Sequence, residues 1–439
     1  MSPRATRRDR ESVPSLAALH DRYLSVRERS RAIASGLHPE DMMVQSMEDA
    51  SPMRWHLAHT TWFFETFVLE RWEKGFRPHH PAYRYLFNSY YEGVGPRLPR
   101  PKRGLLSRPT VAEVLEYRAR VDGRMAALLV GGDVGDEAEL AGVVEIGLHH
   151  EQQHQELMFT DIKHAFSVNP LRPAFGSRKS HPVPAAEKLS WIECAGGVSE
   201  IGMGKSGFAF DNEYPRHKQY LEPFALAQRA VTNGEFLEFV EDGGYQTVGL
   251  WLSDGWARVQ AEGRRAPLYW EKRDGEWLQF TLSGMHPLAA GEPVCHISYF
   301  EADAYAAWAA ARLPTEAEWE SVAASCPVAG NLSLTDPPHP RAAPRTAAGV
   351  PAQLFGDVWE WTKSAYAAYP GYRPLPGAIG EYNGKFMCGQ FVLRGGSCAT
   401  PDGHVRPTYR NFFPPDARWQ FSGLRLARDI GWRGVAATR

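Results

Sequence analysis

The sequence predicts an α+β chain in which an N-terminal four-helix bundle precedes a domain of short strands. Two observations carry this expectation. Up to about residue 170, apolar side chains recur at helical spacing over long stretches. Beyond a Pro-, Gly- and Ser-rich segment, short apolar runs alternate with Gly, Pro and Asp instead. At 439 residues, 43% hydrophobic and 12% aromatic, the chain can fill two or three cores.

The first helix is expected over 15–34, "SLAALHDRYLSVRERSRAIA". The second, over 51–72, opens on Ser51-Pro52, because proline is tolerated where a helix has no N–H to satisfy. The third, over 110–130, is capped by Thr110 with Glu113 three residues on. The fourth covers 136–166. Between the second and third runs a connection, 73–109, too long for a simple loop and rich in Tyr, Arg and Pro; such connections often carry function. The expected domains are therefore 12–170, a linker at 171–187, and 188–431. In the last, helices are indicated chiefly at 232–241 and 299–311.

Forty-nine basic residues nearly balance fifty-one acidic ones, for a net charge of −2. That balance offers no electrostatic footprint for nucleic acid or a membrane surface. No apolar run is long enough to span a bilayer. Five cysteines, Cys194, Cys295, Cys326, Cys388 and Cys398, show no close pair and read as reduced thiols in a cytoplasmic protein.

The most chemically loaded stretch is "HHEQQH", 149–154. His150 and His154, four apart on a helix, share a face and can grip one ion. The pattern His150-Glu151-Gln152-Gln153-His154 matches that of zinc peptidases, in which Glu151 would be the base. The extended peptidase form needs Gly at 157 and His at 160, where Leu157 and Thr160 stand. The first acid after Glu156 is Glu187, and His181 lies in the expected linker. Upstream, His56 and His59 on the second helix offer the alternative third ligand, and spacing alone does not choose between them.

In the C-terminal half, "RLPTEAEWE" (312–320), "LFGDVWEWT" (354–362), "VLRGGSC" (392–398) and "SGLRLARD" (422–429) follow in order. Together they resemble the formylglycine-generating-enzyme-like domain, a variant of the C-type lectin fold. Trp319, Trp359 and Trp361 are expected as core anchors. The copper-binding cysteine pair of true formylglycine-generating enzymes is missing, since no second cysteine follows Cys398. The N-terminal half resembles the DinB-like helical bundle, and "SPMRWHLAH" (51–59) with "HEQQH" resembles the ligand segments of the ergothioneine-biosynthesis sulfoxide synthases.

That resemblance implies an Fe(II) enzyme coupling hercynine, cysteine and O2 to hercynylcysteine sulfoxide. Its metal ligands would be His59, His150 and His154. Three neutral imidazoles would leave Fe(II) its full charge and open positions for substrates. Gln153 and Asn411 would hydrogen-bond the substrate imidazole, and Phe412 and Phe413 would face its trimethylammonium group. In the long connection, Arg97 and Arg100 suit capture of a carboxylate, and Tyr90 or Tyr91 would supply a proton. The Tyr90-Tyr91 pair resembles the branch that uses free cysteine. Phe413 stands where the γ-glutamylcysteine branch carries Asp, and that branch has its catalytic tyrosine in the C-terminal domain. The alternatives are the same fold with γ-glutamylcysteine or a selenium donor, and a zinc peptidase. Glu151 is expected to be outside the metal's ligand set or merely solvated.

Overall fold

The structure, a computed structural model, describes residues 14–131, 134–177, 187–205, 207–332 and 337–431. Most of the expected linker, with His181, lies outside the described residues. The chain forms two compact units. The first runs to Asp161 and takes in Gly204–Phe210 and Leu375–Tyr382; the second holds Ile162–Met203, Asp211–Pro374 and the chain from Asn383 onward. This division differs from a single cut at 171–187. Composition registers where the chain changes character along its length, not where a short segment returns in space.

The helical unit is built on α1 (Leu16–Ser35), α2 (Met53–Phe64), α3 (Val111–Gly131) and α4 (Glu137–Val168). α2 continues through a π-helical turn, Glu65–Leu69, to a last turn at Glu70–Trp72. Every residue of α2 is buried, so it is the central helix. α3 buries Val114, Tyr117, Arg118, Val121, Met125 and Leu128, the three-to-four spacing of one inward stripe. Gly147 lets α4 close onto α2: a Cβ there would stand 2.6 Å from the ring of Phe64. The connection from α2 to α3 carries one helical turn, Tyr83–Leu86, and a 3-10 segment, Arg100–Leu105.

Where the helices meet lies a buried ionic network. Glu151 of α4 is fully buried. Its Oε2 accepts from Arg27 Nη1 at 2.9 Å and its Oε1 from Ser30 Oγ at 2.6 Å, both on α1. Arg118 of α3 donates to Oε1 as well. Arg27 also donates to Thr61 of α2 and to Asp122 of α3, and Gln155 of α4 donates to Ser30. Burial alone would raise the Glu151 carboxyl, but Arg118 and Arg27 hold it down at about 2. Glu151 is thus a buried carboxylate with both oxygens occupied, contrary to the expectation of a solvated side chain.

Among the described residues, the second unit contains four small sheets. In one, Trp191–Cys194 and Ala427–Asp429 flank Phe224–Ala227, all antiparallel. Another is ordered Asn411–Phe413, Phe391–Arg394, Trp359–Ala365, Ser422–Leu424, its last pair parallel. The ribbon Gly197–Ile201/His217–Leu221 and the meander Trp270–Pro287 complete the set. Helices Asn233–Glu241, Tyr299–Trp308 and Glu316–Ala323 each start from a capping box. Trp319, Trp359 and Trp361 are buried, as expected. Trp319 Nε1 donates to Glu360 at 2.7 Å, and Arg425 Nη2 donates to the same carboxylate at 2.6 Å. Arg394 pairs with Glu316 and Glu320. The four sequence motifs thus supply the partners of two buried ionic clusters. Among the described residues all five cysteines are free, Cys295 and Cys398 being buried.

Replacing Glu151 with Gln takes the carboxylate partner from the buried Arg118 and leaves Arg27 with Asp122 alone. Breaking a buried ion pair from one side costs roughly 3–5 kcal/mol, so E151Q is expected to shift the urea-unfolding midpoint sharply down. An unchanged midpoint would remove the network's structural role.

Candidate metal centre

α2 and α4 bring three histidines together. His59 is fully buried, and His150 and His154 nearly so. One nitrogen from each lies within 4.8 Å of the others. Each imidazole must present a lone pair to hold a metal, and its hydrogen bonds decide which nitrogen does so. His59 Nδ1 is 2.6 Å from the carbonyl oxygen of Phe87. A carbonyl only accepts, so Nδ1 carries the proton and Nε2 is bare. His59 Nε2 faces His150 Nε2 at 3.1 Å. Nitrogens bonded to one metal at about 2.1 Å and at a right angle stand about 3.0 Å apart, so this spacing fits adjacent ligands. His150 Nδ1 is buried with no hydrogen-bond partner among the described residues. His154 Nδ1 lies 2.8 Å from His56 Nδ1, which leaves Nε2 for a ligand role.

Burial, reinforced by the neighbouring imidazoles, pushes His59 and His154 well below the usual histidine range. Burial pushes His150 down to about 3. All three are therefore neutral, the form that binds a metal. Trp55 stacks on His59 at 4.5 Å, and Phe63 lies 4.9 Å from the ring of His150. The donor set fits a divalent transition metal, in a buried surround that includes aromatic rings.

His56, the alternative left open by spacing, is not in the three-nitrogen cluster but sits behind His154. Glu151 points into the helical network, so it is not placed as a base for a zinc peptidase. Gln153 accepts a hydrogen bond from Tyr382, whose ring centroid is 5.7 Å from that of His150. Tyr382 stacks on Phe210 at 5.2 Å, and Phe208 stacks on His149 at 4.0 Å. Glu381 accepts from the backbone N–H groups of Glu92 and Gly93 at 2.9 and 2.7 Å, tying this segment to the long connection.

Tyr90 and Tyr91 pack together at 4.6 Å, and Tyr90 lies 6.2 Å from Tyr382. Tyr91 is fully buried, and burial raises its hydroxyl well above the usual range. Arg97 and Arg100 stand further out: Arg97 pairs with Glu92, and Arg100 Nη1 lies 3.9 Å from Asp49. The buried arginine of the connection is Arg103, its guanidinium 3.4 Å from the Trp55 ring centroid. In the second unit, Asn411, Phe412 and Phe413 form a short strand and are partly buried. Phe412 stacks on Tyr366 at 4.0 Å, and Phe413 meets Trp419 edge-on at 6.0 Å. Sequence reasoning missed Tyr382, Asp161 and Arg103. Nothing in spacing links residue 382 to residue 153.

Two family models match the chain: the DinB superfamily over 22–158, and the sulfatase-modifying factor enzyme 1-like domain over 177–337 and 342–430. The chain is 34% identical to the hercynine oxygenase of Mycobacterium tuberculosis, over 87% of this chain and 91% of that one. It is 32% identical to the hercynine oxygenase of Mycolicibacterium thermoresistibile, over 95% and 96%. The formylglycine-generating enzyme of Streptomyces coelicolor is 29% identical over 57% of this chain and 93% of its own.

His59→Ala and His150→Ala are each expected to abolish stoichiometric Co(II) binding, read by equilibrium dialysis with metal analysis. Retention of a full equivalent by either variant would remove that histidine from the site.

Proposed function

The chain belongs to the hercynine oxygenase family, and from that premise we propose that it joins hercynine to L-cysteine with O2, giving hercynylcysteine sulfoxide, on Fe(II) held by His59, His150 and His154. The buried, neutral three-histidine cluster carries this reading. The reaction balances without an outside reductant. Loss of the imidazole C2–H and the thiol S–H forms the C–S bond, and the sulfur gains one oxygen. These changes give up four electrons, so the other oxygen atom leaves as water. The iron, when bound, supplies the site for dioxygen and for the thiolate, whose pKa a divalent cation lowers.

The protein's own groups then have separate tasks. Apolar walls from Trp55 and Phe63 keep water from the imidazole ligands. Gln153, held by Tyr382, offers an amide to the substrate imidazole. The aromatic faces of Phe412 and Phe413 suit a trimethylammonium group. Arg97 and Arg100 offer guanidinium groups to the amino-acid carboxylate. Tyr90 and Tyr382 are the hydroxyls suited to deliver a proton, since Tyr91 is fully buried.

One observation favours a second reading of the donor. The family branch that uses γ-glutamylcysteine carries its catalytic tyrosine in the C-terminal domain, and Tyr382 comes from the C-terminal half of this sequence. Rates measured side by side with cysteine and γ-glutamylcysteine separate the two.

Protein reconstituted anaerobically with Fe(II), then given O2, hercynine and cysteine, is expected to form the sulfoxide, detected by mass spectrometry. Bound iron with no sulfoxide from either donor would sink the assignment. A lost general acid typically costs 10²-fold or more, so Tyr382→Phe is expected to lower kcat by about that factor. An unchanged kcat would shift the proton to Tyr90, tested by Tyr90→Phe.

A further inference from the structure

We propose that His56 and Asp161 are positioning residues that fix the tautomer of His154, so that its Nε2 is always the bare nitrogen. The inference rests on reading His59, His150 and His154 as the metal site, and it assigns a task to two buried groups which that reading leaves unused.

A line of buried contacts runs from Asp161 through His56 to His154. Asp161 Oδ2 accepts from the backbone N–H of Ser51 at 2.8 Å and lies 3.0 Å from His56 Nε2. Its Oδ1 accepts from Thr160 Oγ1 at 3.2 Å. An ionised carboxylate has no proton to give, so His56 carries its proton on Nε2. With one proton on its ring, His56 has a lone pair on Nδ1 alone. That atom is 2.8 Å from His154 Nδ1, so His154 must donate from Nδ1 and keep Nε2 free. The reverse polarity would need one more proton in the buried chain, on Asp161 or on His56. All three side chains are buried.

His56→Gln keeps a donor toward Asp161 and an acceptor toward His154, whereas His56→Leu keeps neither. Asp161→Asn can place its amide oxygen where Oδ2 stands and its NH2 beside the Thr160 hydroxyl; Asp161→Leu cannot. Outer partners of a ligating histidine typically account for about 10–100-fold in metal affinity. His56→Leu and Asp161→Leu are therefore expected to weaken Co(II) binding by about that factor and to change the visible Co(II) spectrum. The Gln and Asn variants should bind as the parent does. Unchanged affinity in both Leu variants, or an equal fall in all four, would overturn the proposal.

A measurement on the parent chain needs no variant to fold. In the metal-free, 15N-histidine-labelled protein, two-bond 1H–15N correlations should place the ring proton on Nε2 of His56 and Nδ1 of His154. The opposite tautomer at either ring would overturn the proposal. Failure of the parent to bind Co(II) would instead sink the metal-site reading, and the tautomers of the metal-free protein would still decide whether the relay exists.

Discussion

The Glu151 carboxylate is the constraint on which the helical unit depends. It accepts from α1 and α3 while belonging to α4, and through Arg27 the same network reaches α2. A buried charge that loses a partner is costly, so the network tolerates only one rotation of α4 about its axis. Glu151 and Gln155, four apart, face α1. His150 and His154, also four apart and one residue earlier in each case, face α2. One helix register therefore satisfies the ionic network and delivers both histidines to His59. The glutamate that makes HEQQH look like a peptidase signature holds the bundle together, and the histidines beside it form the site.

Burial performs a second task at the site. The desolvation that makes a protonated imidazole costly keeps all three imidazoles of the cluster neutral. Two of the three rings are also oriented by groups outside the cluster, His59 by the Phe87 carbonyl and His154 by its contact with the His56 ring. The walls beside the imidazoles are aromatic, with Trp55 against His59 and Phe63 against His150.

The second unit solves a different problem. Its strands are short, three to seven residues, and cannot be held by ladder hydrogen bonds alone. Buried pairs take up the difference: Arg425 with Glu360, and Arg394 with Glu316 and Glu320. This explains why the motifs that identify the domain are rich in Arg, Glu and Trp. They encode the scaffold, and the strand Asn411–Phe413 is carried on it.

The sequence by itself determined the four bundle helices within a few residues, the burial of the motif tryptophans and the shared helix face of His150 and His154. Each of these follows from local periodicity, from capping chemistry or from residues quoted in one short motif. His150 and His154 are legible because four residues on a helix make one face. Spacing did not choose between His56 and His59, which lie three apart on the same helix; the crossing of α2 over α4 puts His59 against His150 and His56 behind His154. Glu151 looked dispensable because its partners sit on two other helices. Tyr382 was invisible because it lies 229 residues from Gln153 along the chain. Such contacts arise only when distant segments pack, and no periodicity or spacing records them.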